Sequence, residues 1–142
     1  MKKKMLIIWL AVSVTCVGCA SFSGSQRDIT VPSKAMIGHW RMADGSGDVY
    51  FSDDGSYRFF SPDGSGGRSD YRVLVEDGVE RTIVCLIRLK EMDGKPVEEE
   101  VELMVEGTFS PDYQKHTGKS IEEGGEVVGF FSLEYVDENQ LP

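Results

Sequence analysis

The sequence predicts an all-β protein, an antiparallel up-and-down meander of about eight strands that closes into a small barrel. Three observations carry this expectation. After residue 35, short segments recur in which apolar and polar residues alternate, the two-residue period of a half-buried strand. Asp-Gly or Gly-Gly bounds each of them, and such pairs supply the positive φ angles that tight hairpins require. Nothing of helical period runs long enough to compete, residues 111–114 closing a single helical turn at most.

The first strand is expected at about 36–42, around Gly38-His39-Trp40, and Ala43-Asp44-Gly45-Ser46 turns it back. Val49 and Phe51 alternate in the second, at about 47–52, which Asp53-Asp54-Gly55 ends. Tyr57 and Phe59 mark the third, at 56–61, before Pro62-Asp63-Gly64. The fourth, at 68–76, carries Tyr71, Val73 and Val75 on one side and ends at Asp77-Gly78. Ile83, Cys85, Ile87 and Leu89 give the fifth, at 79–91, closed by Met92-Asp93-Gly94. In the sixth, at 96–106, Val101, Leu103 and Val105 face one way, whereas Glu98, Glu100, Glu102 and Glu106 form a stripe on the other. Glu99 has the parity of the dry face, which implies a bulge or a barrel rim there. A polar seventh strand at 116–122 turns at Glu123-Gly124-Gly125 into the eighth, at 125–137, with Phe131, Leu133 and Tyr135. Such strands have one wet and one dry face. Curling into a closed barrel buries the dry face and removes the exposed edges.

The N-terminus has the layout of a secretory signal peptide: Lys2, Lys3 and Lys4, an apolar run from Met5 to Val17, then Gly18-Cys19-Ala20. The run is shorter than the roughly 20 residues a membrane-spanning helix needs. Gly18-Cys19 resembles the lipobox of bacterial lipoproteins, in which a cysteine after a small residue is lipidated and becomes the new N-terminus. That resemblance implies lipidation of Cys19, including a palmitate-type acyl chain, and anchoring to a cell membrane or outer membrane. Gly18-Cys19-Ala20 also fits a small-x-small site for ordinary cleavage before Ser21. Three domains follow: a leader at 1–18, a polar flexible tether at 19–35 and the barrel at 36–142.

Of the 15 basic residues, three fall in 1–18 together with none of the 24 acidic ones, which leaves 12 against 24, a net charge of −12. So negative a chain is repelled by nucleic acid and by anionic headgroups, so neither is an expected partner and membrane attachment must come from lipid. With Cys16 in the leader and Cys19 the acylation site, Cys85 has no partner for a disulfide, and the domain must hold by packing.

Met36-Ile37-Gly38-His39-Trp40, with its Gly-x-Trp on the first strand, is similar to the start of lipocalins and of lipocalin-like domains in bacterial lipoproteins. Residues 50–57, Phe109-Ser110-Pro111-Asp112 and Leu133-Glu134-Tyr135-Val136-Asp137 resemble the same set, over roughly residues 36–137. The resemblance implies that Trp40 plugs a closed barrel end beneath an arginine from near the last strand. No arginine follows Arg88, so that cover is absent or comes from Arg81 or Arg88.

His39 and His116 read as solvated histidines, neither having a second ligand at metal spacing. The aspartates around Gly45 and Gly55 read as turn residues rather than calcium ligands, and Cys85 as a small hydrophobe on the dry face. No Gly-x-Ser-x-Gly elbow is present, so no catalytic residue, metal or cofactor is expected. The functional expectation is an envelope-anchored binding module. Its ligand is a small apolar molecule held among Trp40, Phe51, Tyr57, Phe59, Tyr71, Phe131 and Tyr135. The alternative is a structural or inhibitory lipoprotein with a solid core that engages an envelope protein through its loops or acidic face. Large side chains in so short a barrel favour a filled interior.

Overall fold

A computed structural model describes residues 27 and 29–138. The leader, Cys19 and Ser21 lie outside the described residues. A helical turn, α1 (Pro32–Met36), precedes eight strands: β1 (Gly38–Met42), β2 (Asp48–Phe51), β3 (Ser56–Phe60), β4 (Gly66–Asp77), β5 (Thr82–Met92), β6 (Lys95–Phe109), β7 (Lys115–Glu122) and β8 (Val127–Tyr135). Each pairs antiparallel with the next, and β1 also pairs with β8, Trp40 lying opposite Tyr135. The barrel is therefore closed, and the eight expected strands are all present.

The hairpins recur because one piece of turn chemistry is used three times. In Asp44-Gly45-Ser46, Asp54-Gly55-Ser56 and Asp63-Gly64-Ser65 the carboxylate accepts the amide of the serine two residues on, at 2.9 Å in each case. The glycines take φ of 81°, 87° and 90°, open to them because they lack a Cβ. The hydrogen bonds from Ser46 and Ser56 hold the Asp44 and Asp54 carboxyls below their ordinary range, so these aspartates serve the turns.

Antiparallel order sends alternate connections to opposite ends. The links at 52–55, 78–81 and 110–114 share one end with α1, which precedes β1 and packs against β4 and β5. The hairpins at 43–47, 61–65, 93–94 and 123–126 ring the other. The core concentrates at the α1 end, where Ala35, Met36, Trp40, Ile83, Cys85 and Phe109 are buried. Of the stretch expected to be tether, the described part is packed: Pro32 and Ala35 are buried, and Ile29 rests against the core.

Three irregularities re-aim side chains. Val73 pairs with Cys85 and Val75 with Val84, so Leu74 is an extra residue. Val75, expected inside, is turned outward by that bulge and is 59 % exposed. Opposite Lys90, residues 97–100 loop out between the pairs Leu89–Val101 and Glu91–Pro96, the bulge that the parity of Glu99 implied. Between β7 and β8 the register shifts after Ser120–Gly129, where Val128 is the extra residue, and Val127, which has the inward parity of Phe131, is turned to the outer face opposite Ile121. Among the described residues no helix is long and apolar enough to cross a membrane.

Candidate functional site

The barrel interior has two parts. At the α1 end it is solid. Trp40 is fully buried there and donates its indole N–H to the carbonyl of Met36 at 2.8 Å, so the plug is hydrogen-bonded as well as packed. Phe109 and Tyr135 stand around it at ring distances of 5.8 and 5.4 Å. The arginine that covers this end is Arg27, from before the first strand. Its guanidinium lies 3.7 Å above the Tyr135 ring and 5.6 Å from that of Trp40, and donates to the carbonyls of Ala35 (2.8 Å) and Tyr113 (3.1 Å). Arg81 instead holds the Phe109 carbonyl, and Arg88 pairs with Glu102 on the outer face. Neither of the two arginines expected from the sequence supplies the cover.

Above this plug the side chains do not meet, and a cavity of about 320 Å³ remains. Phe51, Tyr57, Phe59 and Phe131 line it as expected, with Ile87, Leu89 and Leu103. Trp40, Tyr71 and Tyr135 do not: Trp40 and Tyr135 belong to the plug, while Tyr71 packs behind Phe51 and donates its hydroxyl to the carbonyl of Ser52 at 2.6 Å. The expectation of a filled interior thus holds for one end only. Val101 lines the cavity and is 48 % exposed, which marks where it opens toward the far hairpins.

The polar residues of the lining are few, chiefly His116, Ser69 and Ser120. His116 corrects its reading as a solvated side chain, since it is 1 % exposed. On β7 it faces inward with Gly118 and Ser120, opposite Leu133 and Phe109. Its ring stacks on Phe109 at 4.1 Å and meets Phe131 edge-on at 5.1 Å. Gly107 makes room for it, because a Cβ there would collide with the imidazole. Neither ring nitrogen has a hydrogen-bond partner, and burial pushes the imidazole down to about 4, so it is neutral at physiological pH.

The remaining reactive types are quiet. Cys85 is buried with its Sγ 3.6 Å from the sulfur of Met36, and burial, with the Glu76 charge, pushes its thiol up to about 12, so it is protonated and unreactive. His39 does point to the outer face but is only 6 % exposed, which corrects its reading as solvated. It stacks on Tyr50 at 4.3 Å, and its Nε2 lies 2.9 Å from Asp48, which Arg41 also contacts. Among the described residues no group of three or more His, Cys, Asp or Glu is placed to hold a metal. The arrangement suits enclosure of an apolar body. The signal that would have found His116 was present: Lys115, Thr117 and Lys119 mark the outer parity of β7 and leave His116 inside.

No protein-family model, curated protein or solved structure matches the chain.

Proposed function

We propose that the protein is an envelope-anchored binding module that takes a small apolar molecule into the open half of its barrel. The cavity of about 320 Å³ carries this reading, since pockets for small ligands begin near 300 Å³ and are mostly apolar with a few polar groups. The outer face is a weaker candidate. Glu100, Glu102 and Glu106 already meet Lys90, Arg88 and Lys119 across the sheet, so much of the acidic stripe is neutralised within the protein. The lipocalin-like reading of residues 36–137 is supported by the closed eight-stranded barrel and by an arginine over the tryptophan of Gly-x-Trp. The anchor in this reading is Cys19, because a chain so acidic needs lipid to stay at a membrane surface.

An environment-sensitive apolar dye tests the binding half. Saturable binding at one site, abolished by Leu103→Trp in a variant that keeps its unfolding midpoint, is the expected result. Unchanged dye binding in that variant would place the dye elsewhere and sink the reading. Detergent partitioning of protein from the native host tests the anchor, with Cys19→Ala expected to move it to the aqueous phase.

A further inference from the structure

The cavity and its rim differ in charge. No charged side chain lines the empty space, so whatever it encloses is uncharged there. The segments that ring the open end, 43–47, 61–65, 93–100 and 122–126, each hold at least one Asp or Glu, with Lys95 their one basic residue. Glu98, Glu99, Glu122, Glu123 and Glu126 are exposed, and among the described residues none of them has an ion pair. Register puts Glu122 on the inward face. It pairs with Leu103, and directly opposed residues of antiparallel strands project from the same side of the sheet. Since Leu103 lines the cavity, Glu122 ends the inward row of β7 after His116, Gly118 and Ser120, at the mouth that the exposed Val101 marks.

We propose that the barrel's ligand is a cationic amphiphile, an organic ammonium compound whose apolar body fills the cavity and whose positive head stays in the mouth beside Glu122. This rests on the cavity reading above and specifies its ligand. Size comes from the volume: about 320 Å³ is roughly twice the 150 Å³ apolar cavity that holds benzene, which allows a body of about a dozen non-hydrogen atoms. The head does not follow it in. Deep in the lining a charge would lose its water and find no counter-ion, whereas at the mouth it stays hydrated and gains a carboxylate. Its sign comes from the rim, since carboxylates around a low-dielectric opening draw in cations and turn away anions such as a fatty acid. The acidic stripe on the outer face does not compete for the head, because Glu100, Glu102 and Glu106 are already paired with Lys90, Arg88 and Lys119.

Three ligands that share one alkyl chain test the inference on the unmodified protein: octylammonium, octan-1-ol and nonanoate, each competing against an uncharged apolar dye. At low ionic strength octylammonium is expected to bind about fivefold more tightly than octanol, the gain of one exposed ion pair, and nonanoate more weakly than either. The spread should close in about 0.5 M salt, where screening cuts off such a pair. In Glu122→Gln, an exposed and volume-conserving change, octylammonium should fall toward octanol while octanol itself is unmoved. Equal affinities for octylammonium and octanol at low salt, or an undiminished preference in Glu122→Gln, would overturn the charge assignment and leave the cavity reading intact. Octylammonium binding that survives Leu103→Trp would place it on exposed carboxylates alone and overturn the assignment too. If the dye and all three ligands fail to bind, both readings fall together.

Discussion

The two ends of the barrel are built from the same strands and do opposite things with them. At the α1 end Trp40, Phe109, Tyr113 and Met36 fill the section, and Trp40 and Arg27 have their hydrogen bonds satisfied by local carbonyls. At the far end Phe59, Leu89 and Leu103 are only half-buried, Val101 is exposed, and they surround empty space. Buried area and dispersion contacts stabilise the first end, whereas the second forgoes them to keep a volume open. Stability and binding should therefore respond to mutation at different ends. His116 sits on the boundary, packed like a plug residue with neither ring nitrogen hydrogen-bonded.

The largest effect should separate the ends outright. Trp40→Ala removes a fully buried ring and a hydrogen bond and is expected to cost about 3–5 kcal/mol, while Val101→Ala costs less than about 1 kcal/mol. Denaturant unfolding measures both. Equal losses at the two positions would mean that the interior is filled throughout.

Acid sharpens the boundary. With the folded His116 pushed down to about 4 from an ordinary 6.5, the unfolded chain binds a proton in that window and the folded chain does not. Stability is thus unaffected above pH 6.5 and falls as the pH drops toward 4, by roughly 3 kcal/mol in all. The carboxyls held low by turn and ion-pair hydrogen bonds, such as Asp44 and Asp48, start from 3.8 and act mainly at the bottom of this range. Unfolding midpoints across pH 4 to 7 should show the slope in the native protein and a flatter curve in His116→Leu. A native curve as flat as the variant's would mean that the imidazole is solvated after all.

The smallest expected effect concerns the cover of the closed end. Arg27→Ala loses stacking on two rings and two hydrogen bonds to carbonyls, a cost of about 2 kcal/mol. Arg27→Lys should recover less than half of it, because an ammonium cannot spread over Tyr135 and reach both carbonyls. Hydrogen exchange of the amides of α1 provides a second readout, with faster exchange expected in Arg27→Ala. Unchanged stability in Arg27→Ala would show that the tryptophan needs no cover.

Much of the fold was legible because its causes are local. A strand's two-residue period put Val49, Phe51, Tyr57, Phe59, Ile87, Leu103 and Phe131 on one face without reference to any partner, and repeated Asp-Gly-Ser turns announced the hairpins. Where a bulge interrupts the count, as at Leu74, the same rule put Val75 on the wrong side. On β7 the inward residues are His116, Gly118 and Ser120, so hydrophobicity carried no signal, although the alternating Lys115, Thr117 and Lys119 did. Of the seven aromatic residues read as a pocket, four line the cavity and three support its floor and wall. Parity tells which side a ring faces but not how high in the barrel it lies.

Taken alone, then, the sequence determined the strands and the hairpins, since each depends on residues within a few positions of one another, and the single dry face of those strands pointed to the closure of the sheet. Tertiary structure alone decided three things. Arg27 covers Trp40 and reaches Tyr135 although it precedes the first strand, a contact with no local signature. His116 is stripped of partners because Gly107, on another strand, leaves room for its ring among Phe109 and Phe131. The cavity exists because inward side chains from different strands fail to meet across the barrel, and packing across a closed sheet depends on shapes and distances that a single strand's pattern does not contain.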